Sequence, residues 1–270
     1  MGVLNVTPDS FSDGGRYWRP ADARVRGAEM VDEGADVVDV GGESSRPGAE
    51  PVDEAEELRR VIPVLETLAG RVRLSVDTTK PTVARAAVAA GATLINDISG
   101  RLYPVAAELG VGWVAMHMQG TPADMQQDPH YDDVVGEVVT ALAESAGRAH
   151  RAGVPEVWLD PGIGFGKTTA HNLSLLGHLD RLVALGRELG ARVLVGTSRK
   201  RFLGLVAGPG RPELAVGDRL EPSLASAVWS LWQGAGMVRA HDVAETVRAA
   251  ALVGSGPVRA GRGGAAGVVS

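Results

Sequence analysis

The 270-residue chain contains no cysteine, which excludes disulfide bonds and thiolate metal sites. It also has no run that approaches the roughly 18 consecutive apolar residues of a membrane-spanning helix. The start of the chain, Met1 to Thr7, lacks the basic and apolar regions of a secretory signal peptide. From these absences we expect a cytoplasmic protein that does not enter a membrane.

An excess of positive charge is missing as well. The formal net charge is −6, which argues against nucleic acid as a partner, although local basic clusters can still attract a small anion. Lysine is especially scarce, because only three of the 27 basic residues are lysines: Lys80, Lys167 and Lys200. Each lysine follows an apolar, strand-like run by a few residues. We therefore expect the lysines in functional strand-end loops, with the start of a helix as the alternative for Lys80.

Apolar, strand-like runs alternate with helix-like segments along the chain, which is typical of repeated βα units around a parallel sheet. Eight such units predict a single (β/α)8 TIM barrel over residues 1–253, followed by a flexible Gly/Ala/Arg tail over residues 254–270. A doubly wound open sheet is the alternative, and it is weakened because no Gly-x-Gly-x-x-Gly turn follows the first strand. The predicted strands are Val3 to Val6, Val37 to Val40, Val72 to Val76, Leu94 to Ile95, Trp113 to Met116, Val157 to Leu159, Val193 to Val195 and Met237 to Val238.

Apolar residues at helical spacing predict which helix faces pack against the sheet. The clearest sets are Leu58, Val61, Ile62, Leu65 and Leu68; Val135, Val138, Val139, Leu142 and Ala146; and Leu224, Ala227, Val228 and Leu231.

Polar residues stand at the C-terminal ends of the predicted strands. In a parallel barrel these ends meet on one face, and buried polar groups are unfavourable unless a ligand or a network satisfies them. We therefore expect a single functional site built from Asn5, Asp39, Asp77, Asn96, His117, Asp160, Ser198, Lys200, Arg239 and His241.

The segment Val37 to Gly48 shows this pattern most clearly. Asp39 interrupts a valine-rich strand, and Gly41 and Gly42 open a loop that carries hydroxyl groups and a guanidinium group. Taken alone, the segment fits equally well an ordinary strand-to-helix turn in which a serine caps the next helix.

The run from Gly164 to Thr168 resembles a nucleotide-binding P-loop. A P-loop requires a glycine five positions before Gly166, where this chain has Pro161, so the pattern fails. We interpret the run as a glycine-rich loop that holds a flat ligand or lets backbone segments approach closely. The histidines outside the strand ends lack metal-ligand spacing and are interpreted as structural: His130, His150, His171 and His178.

Eight segments near the strand ends form a specific combination: Gly2 to Gly15, Asp39 to Gly48, Asp77-Thr78, Ile95-Asn96-Asp97, Met116 to Gly120, Asp160 to Lys167, Ser198-Arg199-Lys200 and Arg239 to Asp242. Together they resemble the dihydropteroate synthases, the folate-pathway enzymes that sulfonamides inhibit. The resemblance extends from Met1 to about Val253. One departure is Ser45, which stands where many members carry threonine and keeps the hydroxyl group.

The resemblance implies an SN1-like condensation of p-aminobenzoate with 6-hydroxymethyl-7,8-dihydropterin diphosphate, with Mg²⁺ present and in a homodimer. The implied catalytic residues are Asp13, Arg46, Lys200, Arg239 and His241, and Asn5 is the implied metal ligand. The implied pterin diphosphate site comprises Asp39, Ser45, Asp77, Asn96, Met116, Asp160, Phe165, Lys200, Arg239 and His241. The implied p-aminobenzoate site comprises Phe11, Arg46, Pro47 and Ser198, with Ser45 beside them.

Two other functions share part of this pattern. A pterin-binding methyltransferase, which moves a methyl group from methyltetrahydrofolate to a corrinoid, would keep the barrel and the residues Asp77, Asn96 and Asp160. A catalytically silent pterin-binding paralogue would keep the site without the reaction. The loops from Ser45 to Gly48 and from Ser198 to Lys200 favour the synthase.

Overall fold

The computed structural model describes residues 1–7, 20–44, 50–122, 124–206 and 212–254. Five of the predicted site residues lie outside these ranges: Phe11, Asp13, Ser45, Arg46 and Pro47. The same holds for most of the predicted tail, so the division into barrel and tail stays a prediction. None of the helices in the described ranges has the length and apolar character to cross a membrane.

In the described part of the chain, eight parallel strands form one sheet in which each strand pairs with its neighbours in sequence. All eight predicted strands are confirmed, with ends that differ by one or two residues. The sequential order is that of a TIM-barrel-like α/β fold and contradicts the doubly wound alternative, whose strand order reverses partway through the sheet. The strands are β1 Gly2–Asn5, β2 Val37–Gly41, β3 Arg73–Asp77, β4 Leu94–Asp97, β5 Gly112–Met116, β6 Val157–Asp160, β7 Arg192–Val195 and β8 Met237–Val238.

The two edge strands of this sheet are joined by a few hydrogen bonds. An isolated parallel bridge pairs Gly2 with Ala240, just after β8. The Val3 amide donates to the Ala240 carbonyl at 3.0 Å, and the Ala240 amide donates to the Met1 carbonyl at 2.9 Å. The first and last strands are therefore in contact.

Helices follow the strands and cover the outside of the sheet. Two of them begin with clear side-chain caps: Asp53 accepts a hydrogen bond from the Glu56 amide at the start of α2, and Thr168 and His171 form a capping box at the start of α6. The helices are α1 Pro20–Asp32, α2 Glu54–Leu68, α3 Pro81–Ala89, α4 Tyr103–Leu109, α5 Val134–Ala152, α6 Thr169–Gly177, α7 Leu179–Leu189, α8 Arg201–Leu205, α9 Leu220–Trp232 and α10 Val243–Gly254.

The predicted buried faces hold for α2 and α5 but only in part for α9. In α2 and α5 most of the predicted residues are buried. In α9 the predicted Leu224, Val228 and Leu231 are only half-buried, and the buried residues are Ser223, Ser226, Ala227 and Ser230. The serine hydroxyl groups donate to backbone carbonyls within the helix, which removes much of the cost of burying them.

The side chains on the inner face of the sheet form two layers. Leu94, Val114, Trp158 and Leu194 form an apolar cluster from four neighbouring strands. Side chains two residues apart on a strand point to the same side of the sheet, so Asn96, Met116 and Asp160 form the next layer towards the C-terminal ends. The apolar layer supports a polar layer directly above it.

Candidate active site

Strand register brings the predicted residues of the first four strands to one level. Asn5 pairs with Gly41, Gly41 pairs with Asp77, and Asp77 pairs with Asn96. On the neighbouring strands β5 and β6, Met116 pairs with Asp160. The predicted convergence of these strand ends follows directly from the pairing.

Arg239 joins two carboxylates from neighbouring strands. Its Nε donates to Asp39 Oδ2 at 2.7 Å, and its Nη2 donates to Asp77 Oδ2 at 2.9 Å. Asn96 Nδ2 donates to the same Asp39 oxygen at 2.9 Å. Asp39 and Asn96 are 0 % and 5 % exposed. We call Asp39, Asp77, Asn96 and Arg239 the arginine cluster.

Burial sets the protonation of this cluster. It raises the pKa of Asp77 to about 7; the Arg239 cation opposes this rise, and the Asp39 carboxylate adds to it. Burial alone would lower the pKa of Arg239, but the Asp39 and Asp77 carboxylates raise it above its usual value. Arg239 is therefore charged, while Asp77 can accept or donate a hydrogen bond near neutral pH.

A second part of the site is a loop, residues 160–167, that follows β6. Asp160 Oδ1 accepts a hydrogen bond from the Gly162 amide at 2.8 Å. Burial raises the pKa of Asp160, and the Lys200 ammonium opposes the rise. Gly162, Gly164 and Gly166 have φ angles of 63°, 83° and 62°, in the left-handed region that favours glycine. We call residues 160–167 together with Lys200 the lysine loop.

The side chain of Lys200 packs against residues 160–167. Its Nζ donates to the Ile163 carbonyl and lies 4.8 Å from the centre of the Phe165 ring. Burial lowers the pKa of Lys200 to about 8, although the Asp160 carboxylate opposes this. A cation, an aromatic ring and the Asp160 carboxylate therefore lie together, which suits a flat heterocycle with donors and acceptors at its edge.

Lys167 has a structural place that the sequence did not reveal. Its side chain is 3 % exposed, and Nζ donates to the Gly162 carbonyl at 3.1 Å and the Phe165 carbonyl at 2.9 Å. It also lies 3.0 Å from His117 Nδ1. Burial lowers the pKa of Lys167 to about 7, and burial together with Lys167 lowers that of His117 to about 3. The neutral His117 ring accepts from Lys167, so both side chains brace the loop, and Lys167 is not available as a P-loop lysine.

Ser198 and His241 meet at the end of β7 and β8. Ser198 Oγ accepts a hydrogen bond from the His241 amide at 3.1 Å and lies 3.0 Å from His241 Nδ1. The resemblance implies that Ser198 binds p-aminobenzoate and that His241 binds the pterin diphosphate, and the structure places the two side chains in contact. Their roles stay predictions.

A further buried carboxylate, Asp97, lies at the end of β4 and is not among the predicted site residues. It is fully buried and accepts hydrogen bonds from the amides of Ser99, Arg101 and Leu102 and from Trp113 Nε1. Asp97 therefore shapes the turn after β4. Its position immediately after Asn96 was the available signal.

The donor set can be tested against Mg²⁺. Asn5 ends β1 and is half-buried, at the same level as the arginine cluster. Within the described ranges, no group of three or more His, Asp or Glu side chains could hold a metal ion. The side-chain oxygen of Asn5 is a ligand type that Mg²⁺ accepts, since Mg²⁺ commonly keeps several waters and binds through one or two protein oxygens together with substrate phosphates.

Comparisons with known proteins agree with this site. Residues 1–241 match the family model described as "Pterin binding enzyme". The dihydropteroate synthase of Escherichia coli (strain K12) is 47 % identical, over 94 % of this chain and 89 % of that protein. A Yersinia pestis dihydropteroate synthase solved with a sulfonamide drug has a TM-score of 0.88 and 43 % identity, covering 94 % of this chain and 92 % of that chain. A Xanthomonas albilineans dihydropteroate synthase solved with 4-aminobenzoic acid has a TM-score of 0.83 and 47 % identity, covering 95 % and 93 %. The chain therefore belongs to the pterin-binding enzymes and, within them, to the dihydropteroate synthases.

Proposed function

We propose that the strand-end site condenses p-aminobenzoate with 6-hydroxymethyl-7,8-dihydropterin diphosphate to give 7,8-dihydropteroate and diphosphate. The observation that carries this proposal is the placement of Asp160 and Lys200 close to Arg239 of the arginine cluster, at the C-terminal ends of the strands. The 4-aminobenzoic acid in the Xanthomonas relative and the sulfonamide in the Yersinia relative support p-aminobenzoate as the second substrate.

The pterin ring would bind between the two sides of the site. The Asp160 carboxylate suits the adjacent N–H donors of the pyrimidine edge, and Lys200 suits a ring acceptor. Among the described residues, the buried Oδ1 of Asp39 has no hydrogen-bond partner, which leaves an acceptor near the ring. Met116 and Phe165, both half-buried, offer apolar surface to the ring faces.

The chemistry requires no strong base. The C–O bond between the pterin methylene and the diphosphate breaks, and diphosphate leaves with the electron pair. The amine of p-aminobenzoate then forms the C–N bond and releases a proton to water. Arg239 and His241 stabilise the leaving anion, and the buried site excludes water from the methylene cation. The roles of Asp13 and Arg46, and of Phe11, Pro47 and Ser198 around p-aminobenzoate, rest on the resemblance.

Mg²⁺ is part of the proposal, with Asn5 as its protein ligand. When bound, the ion neutralises charge on the diphosphate leaving group. The polar end of β1 lies level with the arginine cluster, which supports this placement.

We also infer a closed barrel, because the hydrogen bonds of Ala240 to Met1 and Val3 join the edges of the sheet. A cytoplasmic location stays a prediction from the sequence.

We further infer a homodimer that forms through the outer face of α9 and α10. Trp229 and Trp232 of α9 are 45 % and 46 % exposed, and Leu252 of α10 is 79 % exposed. Large exposed aromatic residues on packed helices are typical of a covered surface. Light scattering should give the mass of a dimer for the wild type and of a monomer for Trp232→Glu; a monomeric wild type would refute the dimer.

The test of the reaction is simple. Mixing the protein with dihydropterin diphosphate, p-aminobenzoate and Mg²⁺ should release diphosphate only when the amine is present. A silent paralogue would bind the pterin without release. A methyltransferase would instead consume methyltetrahydrofolate with a corrinoid acceptor, and either result would refute the proposal.

A further inference from the structure

We propose that Lys80 is a positioning residue for the use of p-aminobenzoate, because it fixes Glu43 and Val52, the points on either side of residues 45–49. The inference rests on the proposed function, since the resemblance assigns Arg46 and Pro47 to the amine substrate. Lys80 itself does not belong to the arginine cluster or the lysine loop.

The contacts of Lys80 join three elements of the fold. Its Nζ donates to Glu43 Oε2, at the start of the β2–α2 connection, and to Glu57 Oε2, on α2. The other oxygen of Glu43, Oε1, accepts a hydrogen bond from the Val52 amide at 3.1 Å. One carboxylate therefore links two positions nine residues apart and is itself held by Lys80.

The exit from β2 is packed tightly onto α2. A Cβ atom on Gly42 would lie 2.9 Å from the Cγ of Glu57 and 2.9 Å from Cγ1 of Val61. The Gly42 carbonyl accepts a hydrogen bond from Arg60 Nη1 at 2.9 Å. These contacts fix the position of Gly42. The position of the Glu43 carboxylate therefore depends on its own hydrogen-bond partners, Lys80 and the Val52 amide.

The charges explain why a lysine occupies this position. Glu57 is fully buried, and among the described residues its Oε1 has no hydrogen-bond partner. Burial alone would lower the pKa of Lys80, but its hydrogen bonds to the Glu43 and Glu57 carboxylates raise it, so the ammonium stays charged. An ammonium group can donate in three directions, whereas a guanidinium is a planar fork that matches one carboxylate. This accounts for one of the few lysines in an arginine-rich chain.

The experiment must separate positioning from stability. Lys80→Met alone would leave the buried Glu57 carboxylate without its cation and could unfold the protein. The double variant Lys80→Met with Glu57→Leu removes the buried pair together and keeps the volume. The matched control, Arg73→Met with Glu156→Leu, removes a partly buried ion pair at the other end of β3.

We expect the Lys80/Glu57 double variant to be folded, with the KM for p-aminobenzoate raised about tenfold, because misplaced groups around a reacting amine lower its productive binding. The dissociation constant of the pterin should change less than about twofold, since no pterin ligand is altered. The control should change neither constant. Amide hydrogen exchange at Val52 should become faster in the double variant only.

Three results would overturn the inference: an unchanged KM for p-aminobenzoate, an equal loss for both substrates, or unchanged exchange at Val52. Failure of the proposed function is distinguishable, because the wild-type protein would then release no amine-dependent diphosphate. The exchange measurement still decides whether Lys80 fixes Glu43 and Val52 in that case.

Discussion

The arginine cluster and the lysine loop belong to the same site but are held together by different means. In the arginine cluster, side chains bind side chains: Arg239 joins Asp39 and Asp77. In the lysine loop, the ammonium groups of Lys167 and Lys200 bind backbone carbonyls. One side is a charge network on strands, and the other is a backbone conformation stabilised by lysine.

The difference determines what each side tolerates. Strand register fixes the positions of the arginine cluster, so a substitution destabilises it most when it leaves a buried charge without its partner. The lysine loop depends on left-handed backbone at three glycines, so an added side chain at one of these positions should destabilise it. One substitution of each kind tests this comparison.

The largest effect is expected for Arg239→Met. Removing the cation leaves the Asp39 and Asp77 carboxylates without their shared partner, and breaking a buried ion pair in this way typically costs about 3–5 kcal/mol. The free energy of unfolding should be measured by urea denaturation. Arg85→Met, which removes an exposed ion pair with Glu108, is the control and should be nearly neutral. Equal stability of the two variants would show that the arginine cluster is not held by its charges.

Gly162→Ala tests whether the lysine loop requires its left-handed backbone conformation. The added Cβ would lie 1.8 Å from the His117 carbonyl oxygen, at a φ of +63°. We expect a loss of about 2–4 kcal/mol in the free energy of unfolding, because the backbone must move and the left-handed conformation is strained. Gly177→Ala, where nothing lies within 4 Å of the added atom, should be neutral or slightly stabilising. A neutral Gly162→Ala would mean that the loop conformation is not required.

Lys200→Ala tests binding rather than folding. We expect pterin binding to weaken by about 1.5–3 kcal/mol, the usual value of a hydrogen bond from a charged group. Because burial lowers the pKa of Lys200 to about 8, wild-type affinity should also fall as the pH rises through about 8. Calorimetry over this range measures both effects. An unchanged affinity in the variant would remove Lys200 from the pterin site.

The comparison also shows what could be predicted from the sequence. Short apolar runs that alternate with helix-like segments predicted all eight strands, and parallel pairing then required Asp77 and Asn96 to meet. The arginine cluster was within reach because strand ends alone position it. The TIM-barrel-like order followed from the alternation of strands and helices.

The sequence could not reveal contacts that depend on loop conformation. Nothing in the pattern showed that Lys167 turns inward to bind carbonyls, or that Lys80 bridges two glutamates. Glu57 is buried beside the predicted apolar face of α2, where a hydrophobicity pattern expects a charged residue to be exposed. The serines of α9 were missed for a related reason, since backbone acceptors within the helix satisfy them.

The smallest change per step is expected for the pH dependence of stability, which is at most about 1.4 kcal/mol per pH unit and has opposite signs in the two parts of the site. The pKa of Asp77 rises from 3.8 to about 7 on folding, so the folded state binds more protons and this contribution is lost as the pH rises towards 7. The pKa of Lys167 falls from 10.5 to about 7, so its contribution is lost as the pH falls from 10.5 towards 7.

Asp77→Asn and Lys167→Met therefore serve as controls for each other, because the two groups titrate in different pH ranges. Asp77→Asn should remove a falling slope of the unfolding free energy between about pH 4 and 7 and leave the slope above pH 7 unchanged. Lys167→Met should remove a rising slope between about pH 7 and 10 and leave the lower range unchanged. Either slope is at most about 1.4 kcal/mol per pH unit, the value for one proton. Urea denaturation at a series of pH values measures both. If both variants change the same pH range, the two sides of the site titrate as one unit rather than as separate structures.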